Sequence, residues 1–293
     1  MQRHLLTGTP LDSVALEALR EFAPRDGSPL RVAYSGGKDS CVILDLVRRS
    51  GLPFETHYSF VCLDPPELRA FIREQARDPA NRIYIDYPTR SLASMAREKQ
   101  IMPKRGARWC CELLKHANEP PEGATTVLGL RWAESKKRSS RGLFESRRSG
   151  AGRIINPIIG WLNTDVWDYI RERRLPSCHL YDEGEKRLGC ILCPLARNER
   201  PAYQAKARRD MERWPGITRI WRRVAKIVWA FHQADFASPE ALFDWWIRSA
   251  PTNRAGSYGQ GDDGECGLFG PPVEIAAAMP KRLTVGERRA PHA

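Results

Sequence analysis

Apolar residues along this chain alternate between short continuous runs and longer stripes at helical spacing. Leu30-Arg31-Val32-Ala33 is such a run. It leads through Tyr34-Ser35-Gly36-Gly37-Lys38-Asp39-Ser40 into Cys41-Val42-Ile43-Leu44-Asp45-Leu46-Val47, whose apolar positions predict a helix. Residues 54–63 predict a second strand, entering Asp64-Pro65-Pro66 and a helix through Arg77. Ile83-Tyr84-Ile85 predicts a third strand and residues 125–130 a fourth, with helical stretches between them. Upstream, Leu11, Val14, Leu16, Leu19 and Phe22 predict an amphipathic helix over 11–23 that packs on the domain or on a second subunit. Asn163 reads as an N-cap with Asp165 in the first turn, for a helix ending near Arg174 before Pro176. Ile217, Ile220, Trp221, Val224, Ile227, Val228 and Phe231 form a helical core stripe, and Ser238-Pro239-Glu240 opens a last helix.

Strands alternating with helices imply an α/β fold, a parallel twisted sheet with helices on both faces and a C-terminal helical extension. The expected divisions are an N-terminal helix (1–27), a nucleotide-binding domain (28–195), a helical region (196–250) and a mobile tail (251–293), rich in glycine, proline and charge. In such a sheet ligands bind at the carboxyl ends of the strands, where the Gly-Gly turn, Asp64 and the segment after Leu130 would converge.

The turn has the chemistry of an anion cradle. Gly36 and Gly37 permit a close backbone approach, the amides opening the helix point at a negative charge, and Ser35, Ser40 and Lys38 add donors. It is not a Walker loop, because the glycines are adjacent and directly precede the lysine.

Composition narrows the setting. Among 293 residues, 42% apolar content and nine tryptophans mark a packed protein, and a formal charge of +12 favours anionic ligands such as nucleotides, sulfate or nucleic acid. No run approaches the ~20 apolar residues of a membrane span, and the N-terminus lacks a signal peptide's apolar centre. A cytoplasmic protein is therefore expected, with its eight cysteines reduced. The most basic stretch lies just beyond the fourth strand, with Arg131, Lys136, Lys137, Arg138, Arg141, Arg147, Arg148 and Arg153, a position suited to phosphate or sulfate contact. Cys110-Cys111 and the Cys190-x-x-Cys193 turn offer four thiols to zinc or to an iron–sulfur cluster. Cys41, Cys62 and Cys178 read as small buried apolar residues.

Ser35-Gly36-Gly37-Lys38-Asp39-Ser40 resembles the signature of the PP-loop superfamily, the ATP pyrophosphatases and their relatives the adenylyl-sulfate and phosphoadenylyl-sulfate (PAPS) reductases. Gly129-Leu130-Arg131 with Glu134-Ser135 and Arg138 is similar to a pattern that lines the nucleotide site in PAPS-reductase-like proteins. Pro157-Ile158, Trp161, Asp165-Val166-Trp167 and Tyr169-Ile170, followed by Leu175-Pro176, Leu180-Tyr181 and Gly184, extend the resemblance over residues 30 to 195. The double cysteine with Lys115 and the later C-x-x-C resemble the arrangement that binds a four-iron (4Fe-4S) cluster in adenylyl-sulfate reductases.

The resemblance implies two enzymes. An intact loop implies ATP, accompanied by magnesium, with pyrophosphate release and adenylation of an acceptor that sulfur later attacks, as in tRNA-thiolating sulfurtransferases or DndC-like proteins of DNA phosphorothioation. That reading is favoured, with Lys38 and Asp39 catalytic, a nucleic-acid acceptor and a desulfurase as sulfur donor. Alternatively, Gly264-Glu265-Cys266-Gly267-Leu268-Phe269 resembles the reductase tail whose cysteine attacks adenylyl sulfate, with a thioredoxin-like partner; here Phe269 replaces the expected histidine. A non-catalytic nucleotide- or nucleic-acid-binding module is the third reading, and a homodimer is compatible with all three.

Overall fold

The computed structural model describes residues 9–115, 120–136, 138–146, 152–194 and 200–248. Six strands, β1 (Leu30–Ala33), β2 (Phe54–Ser59), β3 (Ile83–Asp86), β4 (Thr125–Val127), β5 (Phe144–Ser146) and β6 (Arg153–Ile155), form one sheet in the order β3-β2-β1-β4-β6-β5. All neighbours are parallel except β5, which runs antiparallel to β6 at the edge. The helices are α1 (Leu11–Glu21), α2 (Lys38–Ser50), α3 (Pro66–Gln75), α4 (Leu92–Lys99), α5 (Trp109–Lys115), α6 (Asn163–Arg173), α7 (Arg200–Arg213), α8 (Pro215–Trp229) and α9 (Pro239–Arg248).

The alternation of side chains explains how the sheet is covered. Leu30 pairs in register with Phe54 and Val32 with Thr56, so these buried residues share one face, the face on which Tyr34 reaches Cys41 of α2. Right-handed crossovers put α2 and α3 on that face, and the return from β3 to β4 carries α4 and α5 across the other. The N-terminal helix packs on the domain itself: Ala15, Ala18 and Leu19 of α1 are buried, and Arg49 of α2 holds Asp12 at 2.9 Å.

Two strands are shorter than the apolar runs suggest. β2 stops at Ser59, and Val61 and Leu63 are buried in a turn closed by the Asp64 amide on the Val61 carbonyl. β4 ends at Val127. The β5–β6 hairpin lies in the segment read as a basic loop, where three-residue strands are too short for a period to emerge among the charges. α6 begins at Asn163, so Leu162 and not Asn163 is its N-cap, and Asp165 in the first turn accepts the Leu162 amide at 2.7 Å.

Connections leave β1 and β4 in opposite directions, which opens a crevice between their carboxyl ends. Two contacts hold that crevice in shape. A Cβ on Gly129 would lie 3.2 Å from the carbonyl carbon and oxygen of Asp39, so the exit of β4 rests on the first turn of α2. Arg131, 4% exposed, donates from Nε to Asp39 Oδ1 at 2.6 Å and from Nη1 to the Trp161 carbonyl at 3.5 Å.

Both contacts are testable by chemical denaturation. Gly129→Ala should destabilise the fold by about 1–3 kcal/mol, because backbone rather than a flexible side chain must give way. Arg131→Met keeps the volume but strands the Asp39 carboxylate, and a loss of about 3 kcal/mol is expected. A loss under about 1 kcal/mol would show that the pair does not brace the crevice.

Candidate functional site

Gly36 adopts φ +70°, a left-handed conformation that disfavours any side chain, and a Cβ there would stand 2.7 Å from Ile72 Cγ1 and 2.8 Å from Leu68 Cδ1. The loop is thereby pressed onto α3. Gly37 then caps α2, and the amides at its N-terminus meet hydroxyl oxygens: Ser35 Oγ accepts from Gly37 at 3.4 Å, and Tyr181 OH accepts from Lys38 at 3.0 Å. Ser40 braces the turn from within, accepting the Ser35 amide at 3.2 Å and donating to the Gly37 carbonyl at 2.8 Å. Neutral hydroxyls thus lie against amides and a helix dipole that an anionic oxygen would satisfy more strongly.

Charges are ordered behind this turn. Lys38 Nζ donates to Asp39 Oδ2 at 3.0 Å, while the other Asp39 oxygen takes Arg131. One carboxylate between two cations leaves a net positive charge at the helix N-terminus. Ser35, Gly36, Gly37, Lys38, Asp39, Ser40, Gly129 and Arg131 are brought together as expected from the sequence. The two arginines expected as direct anion contacts are instead engaged with carboxylates, Arg131 with Asp39 and Arg138 with Glu134, which also accepts the Arg131 amide. Arg141 likewise pairs with Glu145 at 2.6 Å, so the basic segment carries much of its own neutralisation. Tyr181 was not marked as a loop contact by any local signal; its sequence position only continues the family pattern.

Asp64 is placed elsewhere than expected. Its Oδ2 accepts from Tyr58 OH at 3.1 Å, its buried Oδ1 has no hydrogen-bond partner among the described residues, and the Cys190 thiol and Lys115 ammonium are near enough to act on its charge. Burial raises its pKa, opposed first by the Lys115 ammonium. Asp64 therefore belongs with the cysteines and not with the phosphate cradle.

Cys110, Cys111, Cys190 and Cys193 line one small recess with Lys115 and Trp221. Leu192 takes φ +57° to close the C-x-x-C turn, which is tied down by Ile191 donating to the Leu63 carbonyl at 2.8 Å and by Trp221 Nε1 donating to the Ile191 carbonyl at 3.0 Å. A hydrogen bond from Cys110, followed by the charges of Lys115 and Arg108, lowers the Cys111 thiol, while burial raises Cys190. Cys190, with Asp64 and Cys111, raises Lys115 in turn.

Among the described residues no three potential ligands converge on a point as the ligands of a single ion would. Four soft thiols disposed around a recess, beside a lysine that offsets their charge, suit a cluster that distributes its thiolates over several irons. A cleft of about 380 Å³ opens onto Cys111, Cys190 and Cys193 between Arg108, Arg187 and Trp214. Cys41 and Cys178 are buried as expected, Cys62 only partly, and Cys266 lies outside the described residues.

A family model described as the phosphoadenosine phosphosulfate reductase domain matches residues 29–196. An uncharacterized protein of Methanocaldococcus jannaschii is 29% identical over 214 residues, covering 70% of this chain and 50% of its own. The adenosine 5'-phosphosulfate reductase of Oceanobacillus iheyensis is 27% identical over 172 residues (57% and 72%), and the phosphoadenosine 5'-phosphosulfate reductase of Gloeobacter violaceus 30% over 192 (61% and 75%). This chain spans half or less of the length of its Methanocaldococcus jannaschii relatives, 50% and 42%. A match that takes in every strand of the sheet, the Gly-Gly turn and all four clustered cysteines makes this chain a member of the phosphoadenosine phosphosulfate reductase family.

Proposed function

We propose that this protein binds ATP, accompanied by magnesium, at the Gly36-Gly37 turn and adenylates an acceptor oxygen that a sulfur nucleophile then displaces. The observation that carries this reading is the occupation of the α2 N-terminal amides by exchangeable hydroxyls in an intact Ser-Gly-Gly-Lys-Asp-Ser loop, which supports binding of a terminal phosphate chain. Phosphate oxygens would replace Ser35 Oγ and Tyr181 OH on those amides. The acceptor oxygen attacks the α-phosphorus, the bond to the β-phosphate oxygen breaks, and pyrophosphate leaves with its charge offset by Lys38 and the helix dipole. Sulfur then attacks the carbon or phosphorus bearing the adenylated oxygen, and AMP departs. Asp39, held by Arg131, keeps the Lys38 ammonium over the turn. Cys110, Cys111, Cys190 and Cys193 would hold an iron–sulfur cluster, which supplies electrostatic tuning of the sulfur-handling side of the site.

A second reading is supported by the names of the relatives, the reductases of Oceanobacillus iheyensis and Gloeobacter violaceus. In it the cradle holds adenylyl sulfate or PAPS, and Cys266 attacks the sulfur. The adenosine phosphate leaves, and a thioredoxin-like thiol releases sulfite from the resulting thiosulfonate. A desulfurase would be the sulfur donor in the first reading.

Pyrophosphate release from ATP, measured beside sulfite release from adenylyl sulfate and PAPS with a thiol donor, separates the two. Pyrophosphate formation stimulated by an acceptor supports adenylation; sulfite formation alone, abolished by Cys266→Ser, transfers the assignment to the reductase. Lys38→Met should slow whichever reaction is found about 100-fold, with the far-ultraviolet circular dichroism unchanged. Protein purified without oxygen should be brown, with broad absorbance at about 400 nm and iron matched by acid-labile sulfide. Colourless protein with stoichiometric zinc would remove the cluster.

A further inference from the structure

We propose that the outer face of α8 docks the phosphate backbone of a nucleic acid, which makes a nucleic acid the acceptor; this rests on the adenylating function above. Arg219, Arg222, Arg223 and Lys226 follow one another at the spacing of a single helical face, and all are exposed. The opposite face, with Ile217, Trp221, Val224, Ala225 and Val228, is buried. None of these cations forms an ion pair with a described carboxylate. Arg222 lays its guanidinium over the Phe243 ring at 4.9 Å, which orients it without neutralising it.

This contrasts with Lys38, Arg131, Arg138, Arg141, Lys206 and Arg213 around the site, which all hold carboxylates. The sequence marks residues 131–153 as the basic segment. In the folded chain α8 presents four cations on one face without a described carboxylate partner.

Three features select a phosphate backbone over an acidic protein. The stripe extends for ~10 Å along the axis, the axial rise of about three phosphates of one strand at ~3.4 Å each. Arginine predominates, and its planar fork matches phosphate oxygens. No exposed large apolar side chain lies between these cations, the exposed Phe231 standing beyond the end of α8, whereas protein interfaces commonly centre on a buried aromatic anchor. Position links the face to the chemistry, because Trp221 on the inner side of the same helix lines the cysteine recess. A strand on α8 would pass within roughly a helix diameter, ~10 Å, of those thiols.

The test uses the full chain, with fluorescence anisotropy on labelled duplex DNA and, in a parallel arm, labelled transfer RNA over a salt series. The triple variant Arg219→Gln, Arg223→Gln, Lys226→Gln leaves Arg222 on its ring. For it, the slope of log affinity against log salt should become shallower by about 2–3, with binding at low salt at least tenfold weaker (about 1.4 kcal/mol). The arm that shows this change identifies the nucleic acid. Arg219→Lys with Arg223→Lys should retain the wild-type slope. Should the triple variant misfold by circular dichroism, Arg219→Gln alone is expected to lower the slope by about 0.9. An unchanged slope overturns the proposal, as does binding of polyglutamate when neither nucleic acid binds. ATP affinity is measured on the same samples: ATP binding without nucleic-acid binding removes the α8 surface and leaves the nucleotide site standing, and the converse removes the nucleotide site.

Discussion

The pairing of Arg131 with Asp39 is the constraint on which the rest of the site depends. A guanidinium buried to 4% exposure and a carboxylate in the first turn of α2 join the exit of β4 to the beginning of the helix that presents the cradle. Burying such a pair contributes little net stability, since desolvation cancels much of the attraction. What it secures is position. With Asp39 held from one side, its second oxygen is directed at Lys38, and the cation stays at the helix N-terminus and does not swing into solvent. The absence of a side chain at Gly129 is the steric half of the same arrangement, because it allows β4 to come close enough for Arg131 to reach.

A second consequence concerns how the cradle and the cysteine recess are coupled. Both lie against α3: Gly36 packs on Leu68 and Ile72, while Asp64, just before that helix, stands near Cys190. One short segment also runs between them, from Tyr181 on the Lys38 amide to Cys190 in the recess. The residue on the Lys38 amide and two of the four thiols are thus carried by one stretch of chain.

The distribution of charge follows from how the chain returns on itself. Net positive charge is a property of the composition, yet its effect depends on which cations meet carboxylates. Around the crevice they do, because segment 131–145 brings its own acids, Glu134 and Glu145, at the four-residue spacing that suits its arginines. On α8 no acid occurs at the corresponding positions of the outer face, and the field there is directed at solvent. No helix among the described residues is long and apolar enough to cross a membrane.

The sequence alone determined the elements whose information is local. The strand, Gly-Gly turn and helix were legible because φ +70° at Gly36 and an amide-lined turn are demands on one or two residues, and α8 because its buried stripe repeats over about three turns, although Phe231, read as its last member, lies beyond the helix and is exposed. It also brought the four cysteines together, through their spacing and the family they resemble. Only the tertiary structure decided the partners: Tyr181 on Lys38, Arg131 on Asp39, and Asp64 among the thiols rather than at the phosphates. The β5–β6 hairpin was likewise hidden, since three residues per strand carry no period, and its register against β4 exists only once the sheet has formed. Backbone conformation and periodicity are written within a few residues, whereas the neutralisation of a buried charge depends on what the chain brings back from 92 or 143 positions away.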